Sequence, residues 1–291
     1  MPFPSLREFQ IAGGDFLHKL AHGLVGSYGP GKGDCSIDLS ETRGVGITMR
    51  NVNKYFGDHH VLKNINLEIR PSETFSIIGP SGTGKSVLLK HIVRLERPDS
   101  GEIMIGDYHI FPEQKMKGCP PFRYSMVFQS SALFNSLTVG ENVGLWLREK
   151  RVCKEAQIRA IIADKLALVG LAGKEDLKTA ELSGGMKKRV AIARSLAMNP
   201  DLILYDEPTA ELDPLSTDEL ANTILTIKEK SRNTTVIVTH DLNFALYISD
   251  RIAMISDGRI VQVGTPHEIK QSDNPIVQGF IYTTTKGIKK D

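Results

Sequence analysis

A glycine-rich loop is the first feature of the sequence that can do chemistry. Residues 79–86 read Gly-Pro-Ser-Gly-Thr-Gly-Lys-Ser and fit the pattern G-x-x-x-x-G-K-[ST], with a strand-like run before them and a helical pattern after them. Such a loop turns backbone N–H groups toward an anion at a helix N-terminus, where Lys85 adds a charge and Ser86 a hydroxyl for Mg²⁺. The predicted nucleotide-binding residues are Gly79, Pro80, Ser81, Gly82, Thr83, Gly84, Lys85, Ser86 and Val87.

Two adjacent carboxylates end a second apolar run, residues 202–205. An acidic residue at the end of a strand beside a phosphate loop holds Mg²⁺ or its waters, so Asp206 is predicted to be a metal ligand. Glu207 follows at the strand's end, where a bend in the chain would aim its carboxylate at the γ-phosphate. Glu207 is therefore predicted to be the general base for water.

Two polar side chains follow other apolar runs in the same way. His240 comes soon after residues 236–238 and is predicted to contact the γ-phosphate, whereas Gln129 ends residues 127–129 with an amide suited to Mg²⁺ and the attacking water. Either residue alone would be uninformative. The predicted catalytic set is Lys85, Gln129, Glu207 and His240, and the predicted metal ligands are Ser86, Gln129 and Asp206.

The elements that must position these residues follow an α/β pattern. Strand-like stretches at residues 47–52, 65–69 and 74–78 precede the loop, and a helix is predicted over residues 87–93. Residues 1–44 are rich in glycine and turn signals, which predicts an irregular extension. Within this extension residues 16–25 are also compatible with a short amphipathic helix.

A second helix N-terminus that is suited to binding an anion identifies the family that this chain resembles. Residues 182–186 read Leu-Ser-Gly-Gly-Met before a helix-favouring stretch, with Ser183 as the predicted N-cap. They resemble the LSGGQ signature of the ABC ATPases, with Met186 in place of the usual Gln. The resemblance covers about residues 45–270 and implies an α/β P-loop NTPase of the ABC ATPase type, with a mixed sheet core, a β-rich N-terminal part and an inserted helical subdomain.

The resemblance also implies domain limits. The extension would cover residues 1–44 and the nucleotide-binding domain residues 45–291, with the helical subdomain at about residues 130–197 and a C-terminal tail at about residues 270–291.

The same resemblance implies a head-to-tail homodimer that holds ATP and Mg²⁺ between its subunits. Phe56 would stack on adenine. Leu212 and Asp213 would lie in the D-loop, whose sequence differs from the commoner SGLD or SALD at Glu211. The residues implied to contact the γ-phosphate held by the other subunit are those of the signature, Leu182, Ser183, Gly184, Gly185 and Met186.

Several local stretches are similar to the Mce-associated, Mla-type lipid-transport ATPases. These stretches are residues 82–92, residues 132–143, the Gly185-Met186 end of the signature and residues 273–281. This resemblance implies a phospholipid or other lipid cargo, an integral-membrane permease and an Mce-domain lipid-binding protein as partners. It also implies a peripheral location at the cytoplasmic face of the inner membrane. An importer of another small substrate, such as an amino acid, is the alternative.

Composition restricts the other classes of function. With 36 basic and 34 acidic residues the net charge is only +2, so the sequence predicts no nucleic-acid partner. No apolar run approaches the roughly 20 residues of a transmembrane helix, and no secretory signal pattern is present. A soluble ABC ATPase that acts on DNA or ribosomes is a further alternative, against which the single cassette, the three separate cysteines and the absence of a basic surplus argue. A third hypothesis is a nucleotide-binding scaffold without activity. The presence of Lys85, Glu207 and His240 argues against it.

Overall fold

The computed structural model describes residues 25–26, 42–111, 120–151 and 153–286. The described strands are β1 (Val25–Gly26), β2 (Ile47–Phe56), β3 (His59–Ile69), β4 (Thr74–Ile78), β5 (Ser100–Ile105), β6 (Tyr108–His109), β7 (Tyr124–Val127), β8 (Leu202–Asp206), β9 (Thr234–Thr239), β10 (Arg251–Ser256) and β11 (Arg259–Gly264). The described α-helices are α1 (Lys85–Ile92), α2 (Val139–Glu149), α3 (Glu155–Leu168), α4 (Gly184–Leu196), α5 (Pro214–Lys230), α6 (Leu242–Ile248), α7 (Pro266–Lys270) and α8 (Pro275–Lys286).

The larger sheet positions the phosphate loop and the strand-end residues. Its strand order is β1-β7-β8-β9-β4-β10-β11, in which the five central strands are parallel and both edge strands are antiparallel. Every residue of β4, β8 and β9 is buried. Strands covered on both faces read as continuous apolar runs, and for this reason the sequence located these three strands correctly.

The smaller sheet is an antiparallel sheet with the order β3-β2-β5-β6. Its first two strands extend beyond the predicted residues 47–52 and 65–69, because they continue to a hairpin turn at Gly57, whose φ is +58°. Of the added residues only Lys54 and Leu62 are buried, and the others are exposed or half-buried. A prediction based on apolar runs misses such strands because half of their side chains are polar.

Helices α2, α3 and α4 lie between β7 and β8, within the stretch predicted to be helical. They pack on one another around a shared apolar core that includes Val143, Ile162 and Val190. Thr138 begins α2 with a capping box, since its hydroxyl accepts from the Glu141 N–H and the Glu141 carboxylate accepts from the Thr138 N–H. Among the described helices none is long and apolar enough to cross a membrane.

The N-terminal extension contributes an edge strand where an irregular chain was predicted. Val25 pairs with Ser125 and Gly26 with Tyr124, so β1 continues the larger sheet beyond β7. The alternative of a short helix over residues 16–25 falls outside the described residues except at Val25, which is in the strand. Cys35 and Cys119 also lie outside them, whereas Cys153 is a free thiol.

Candidate nucleotide-binding and hydrolysis site

The phosphate loop connects β4 to α1 and forms one wall of an open cleft of about 350 Å³. Gly84 is the N-cap of α1 with φ +96°, and a Cβ there would lie 2.7 Å from Leu62 Cδ2, so the close packing of the loop requires glycine. The first turn of α1 has no acidic residue, which leaves its N-terminus free to bind an anion. The cleft is lined by Val61, Ser81, Gly82, Gly84, Lys85, Ser86, Val87, Gln129, Glu207, Ala210 and His240.

The Lys85 ammonium is buried inside the loop. Its Nζ donates to the carbonyls of Gly79 at 2.9 Å and Pro80 at 3.0 Å, and it lies 3.5 Å from Glu207 Oε1. Burial lowers the pKa of Lys85, while the negative charges of Glu207 and Asp206 oppose that shift. The loop therefore holds a cation at its centre, ready to face phosphate oxygens.

Ser86 and Asp206 meet at the predicted metal position. Ser86 Oγ donates to Asp206 Oδ1 at 2.7 Å, which joins the start of α1 to the end of β8. Burial raises the pKa of Asp206, and the Ser86 hydrogen bond opposes that rise. A hydroxyl and a carboxylate are the hard oxygen donors that Mg²⁺ prefers, and Gln129 lines the same cleft, so the residues fit this ion.

Glu207 turns away from the line of β8 and toward the cleft. Its φ is +47°, and its N–H donates to the Val238 carbonyl at 2.9 Å. Glu207 Oε2 accepts from His240 Nδ1 at 2.8 Å and from the His240 N–H at 3.2 Å. A left-handed residue other than glycine is strained, and such strain often occurs at functional sites. The expected bend after β8 is therefore present, and it brings Glu207, His240 and Lys85 together.

The signature residues lie elsewhere on the chain. Ser183 is the N-cap of α4, as predicted, and its Oγ accepts from the Met186 N–H at 3.2 Å. Leu182 is buried, and Gly185 packs closely against Ser216. None of residues 182–186 lines the cleft formed by the phosphate loop of the same chain.

Phe56, Leu212 and Asp213 also lie outside this cleft. The Phe56 ring is 47% exposed at the end of β2, with Lys54 Nζ 5.0 Å from its centroid. Leu212 packs against the core of the helices, and Asp213 caps α5 by accepting from the Ser216 N–H at 2.9 Å. Phe56, Leu212 and Asp213 thus lie apart from the residues that the structure brings together, which are Lys85, Ser86, Gln129, Asp206, Glu207 and His240.

A larger cleft of about 650 Å³ lies where α3, α4 and α5 end. It includes Lys165 and Lys230, which lie in the last turns of their helices. Basic residues in that position commonly offset the helix dipole, so they do not by themselves indicate a ligand. The smaller cleft is the functional site because the phosphate loop and the carboxylates are there.

Comparison with known proteins decides the family. Residues 62–210, just over half of the 291, match the family model described as "ABC transporter". The chain belongs to this family. It is an ATP-binding subunit of an ABC transporter and an ATPase that uses ATP with Mg²⁺. The ABC ATPase fold expected from the sequence is therefore confirmed.

Relatives of this ABC protein have names that refer to different compounds. It is 40% identical over 253 residues to the chloroplastic protein TRIGALACTOSYLDIACYLGLYCEROL 3 of Arabidopsis thaliana, which covers 80% of this chain and 72% of that protein. It is 43% identical over 226 residues to the L-cystine import ATP-binding protein TcyN of Bacillus subtilis, which covers 77% and 87%. Among solved structures, the dimeric post-hydrolysis cassette MJ0796 bound to ADP and Pi matches with a TM-score of 0.65 and 33% identity, covering 76% of this chain and 98% of that one.

Two buried cations behind the cleft of this ABC ATPase were missed by sequence reasoning. Lys188 Nζ donates to the Gln129 carbonyl, and the Arg194 guanidinium donates to the carbonyls of Ser131 at 2.9 Å and Ala132 at 2.7 Å. Burial lowers the pKa of Arg194 to about 10. Arg194 interrupts the largely apolar residues 190–198, and a charge in such a stretch requires a polar partner, whereas Lys188 lies between Lys187 and Arg189 and gave no such signal.

Proposed function

We propose that this ABC ATPase works as a head-to-tail homodimer at the cytoplasmic face of the inner membrane. There it powers the movement of a lipid, with phospholipid as the favoured class, through a separate integral-membrane permease. The observation that carries the dimer is the placement of residues 182–186 outside the cleft of their own chain. A helix N-terminus with a serine cap and two glycine amides is built to meet an anion, and the phosphates of a second subunit would supply it.

Within the cleft, each side chain has a proposed role that follows from its contacts. Ser86, Asp206 and Gln129 would hold Mg²⁺, which when bound offsets the negative charge of the phosphates. Lys85 binds phosphate oxygens with its buried ammonium. Glu207 accepts a proton from the attacking water, and His240 holds the Glu207 carboxylate in position.

Phe56 is proposed to bind adenine although it does not line the cleft. Its ring is half exposed at the end of β2, and Lys54 over one face supports it by a cation–π contact. The D-loop residues Leu212 and Asp213 are proposed to contact the second subunit, which the dimeric state of the MJ0796 cassette supports by analogy.

Lipid is the proposed cargo because of two likenesses that favour the same class of compound. Residues 82–92 and 132–143 are similar to Mla-type ATPases, and a relative named after a galactolipid is 40% identical over most of this chain. An Mce-domain lipid-binding protein would then be a further partner. Amino-acid import is the second candidate, favoured by 43% identity to the L-cystine import protein TcyN.

The test is to purify the tagged chain from its native membranes in mild detergent and to identify bound proteins and lipids by mass spectrometry. A permease with an Mce-domain protein and phospholipid would support the lipid proposal. A permease with an amino-acid-binding protein would replace it by the second candidate, and recovery with ribosomes or DNA would contradict transport.

A matched variant controls for non-specific recovery. Residues 133–143, just beyond Gln129, are proposed to contact the permease, and Ser136 is exposed there. Ser136→Arg should lose the permease while the purified chain keeps its ATPase activity, because the change lies outside the cleft. Equal permease recovery with both chains would contradict this contact surface.

A further inference from the structure

Lys54 is a buried cation beside the aromatic ring that is proposed to bind adenine. Lys54 is only 7% exposed, whereas Phe56 is 47% exposed. The Lys54 Nζ lies 5.0 Å from the centroid of the Phe56 ring, over one face of that ring. Because this face is occupied, a base can stack only on the other one. The position of Lys54 therefore restricts how the ring can meet a nucleotide.

Three groups hold the Lys54 ammonium in place. Its Nζ lies 2.8 Å from Glu96 Oε1 and 3.7 Å from Asp99 Oδ1, and it donates to the Arg97 carbonyl at 2.9 Å. All three groups belong to the turn between α1 and β5. A buried ammonium is stable only where acceptors or negative charge compensate it, so this turn determines where the Lys54 charge lies.

The same turn is also bonded to the backbone of β2. The Asp99 N–H donates to the Asn53 carbonyl at 2.9 Å, and Asp99 Oδ2 accepts from the Tyr55 N–H at 2.6 Å. These two hydrogen bonds lie on either side of Lys54 along the strand. The turn therefore fixes both the backbone and the buried side chain that come immediately before Phe56.

Glu96 connects this turn to α1, the helix that begins at the phosphate loop. The Glu96 N–H donates to the Lys90 carbonyl at 3.2 Å, and the Glu96 carbonyl accepts from His91 Nδ1 at 3.0 Å. A carbonyl oxygen only accepts, so this contact assigns a proton to Nδ1 of the buried His91 ring. The last turn of α1 thus holds both backbone groups of Glu96, while the Glu96 carboxylate holds Lys54.

We propose that Glu96 and Asp99 are positioning residues that act through Lys54 and hold the Phe56 ring in register with the phosphate loop. These three charged residues, the Lys54 cluster, do not line the nucleotide cleft. The proposal rests on the proposed contact of Phe56 with adenine and adds how that ring is positioned. ATP must meet the ring and the loop at once, so a displaced ring weakens ATP binding and leaves the hydrolytic groups unchanged.

The test is the KM for ATP of the full chain in a set of variants. Lys54→Met and Glu96→Gln should each raise this KM about fivefold, with kcat at saturating ATP within about twofold of the unmodified chain. Asp99→Asn should raise it only about twofold, because the Asp99 carboxylate is the more distant one from Nζ. Lys54→Arg should keep KM within about twofold of the unmodified chain, because a cation stays beside the ring.

The Phe56→Ala variant decides whether the Lys54 cluster acts through the ring. This change alone should raise the KM for ATP about tenfold. Lys54→Met or Glu96→Gln should then cause no further rise when combined with Phe56→Ala. A further rise of the same size as in the single variants would overturn the positioning role.

The same variants separate this proposal from the adenine contact on which it rests. A raised KM in Phe56→Ala together with an unchanged KM in Lys54→Met and Glu96→Gln would leave the adenine contact standing and overturn the positioning role. An unchanged KM in Phe56→Ala would contradict the adenine contact itself, and the positioning role would fail with it.

Inorganic triphosphate, which has no base, separates this role from damage to the phosphate loop. Its inhibition constant against ATP hydrolysis should stay within about twofold in Lys54→Met and Glu96→Gln. A rise equal to that of the KM for ATP would show that the loop itself is disturbed and would overturn the proposal.

Arg50→Met and Glu102→Gln are the matched controls. They break an ion pair of 3.1 Å between the same strand β2 and β5, in which the arginine side chain is 67% exposed. The KM for ATP should stay within about twofold in both controls, because an exposed pair contributes little. Partial unfolding lowers the active fraction and therefore kcat, but it does not change KM, so a less stable variant still answers the question.

Discussion

His240 holds one oxygen of the Glu207 carboxylate with two hydrogen bonds. Its Nδ1 lies 2.8 Å and its backbone nitrogen 3.2 Å from Glu207 Oε2, while Glu207 Oε1 faces Lys85 Nζ at 3.5 Å. An ionised carboxylate only accepts, so this geometry assigns a proton to Nδ1 of the ring. The two oxygens of Glu207 thus have different partners, and its orientation depends on both of them.

His240→Ala should lower kcat for ATP hydrolysis by about 100-fold, because Glu207 loses the ring that orients it. Nucleotide affinity should change little, since the phosphate loop is intact. Turnover and ATP binding by calorimetry would measure the two effects. His267→Ala, which removes a histidine on α7, is the control and should behave like the unmodified chain. An unchanged kcat in His240→Ala would contradict the proposed role.

Glu207→Gln should retain ATP binding and lose turnover by about 1,000-fold or more, because an amide cannot accept a proton from water. Unhydrolysed ATP should then hold the proposed dimer closed, which light scattering detects as a doubled mass. Glu229→Gln, at an exposed position of α5, is the matched control. Normal turnover in Glu207→Gln would rule out Glu207 as the general base.

Asp206→Asn should raise the melting temperature at neutral pH and lower Mg²⁺-dependent turnover at least about 100-fold. Burial raises the pKa of Asp206 in the folded protein. Its ionisation therefore opposes folding above that raised pKa and has no effect below the ordinary aspartate pKa of about 3.9. The stability gain should shrink as the pH falls toward 4. Differential scanning calorimetry of Asp206→Asn at several pH values checks this, with Asp218→Asn at an exposed position as the control. A gain in melting temperature that is independent of pH would contradict the burial argument.

Asp201→Asn should reduce the free energy of unfolding by about 2 kcal/mol. The buried Asp201 carboxylate accepts from Arg123 Nε at 3.2 Å, Nη2 at 3.0 Å and the backbone nitrogen at 2.8 Å, and also from the Arg43 N–H. Urea unfolding measures the loss. Asp257→Asn breaks the Lys63 pair, where the aspartate is 84% exposed, and should leave the midpoint unchanged. Equal effects of the two changes would contradict the importance of burial.

The phosphate loop and the strand ends were predictable because each is a local pattern. A glycine loop after a buried strand fixes Lys85 and Ser86, and an apolar run ending in acids locates Asp206 and Glu207. The contact of Lys188 with Gln129 spans 59 residues and could not be predicted, because no local pattern indicates which carbonyl a buried cation will reach. The placement of β1 beside β7 was unpredictable for the same reason.

The left-handed backbone of Glu211 was also beyond prediction. The sequence shows a glutamate where related D-loops have glycine or alanine, but residue type alone does not reveal φ. In the same way the position of Phe56 outside the cleft depends on where the β2–β3 hairpin ends, and apolar runs did not define that end.

The strand order of the larger sheet has a consequence for biosynthesis. Strand β4, which presents the phosphate loop, lies between β9 and β10, so both of its neighbours are made long after it. The Ser86–Asp206 hydrogen bond likewise joins residues separated by 120 positions. A nascent chain therefore carries the loop without either neighbouring strand until β9 has been made, and such long-range pairing is slow. Because a ligand stabilises only the state that binds it, ATP is expected to stabilise a chain only after β9 and β10 have joined this sheet.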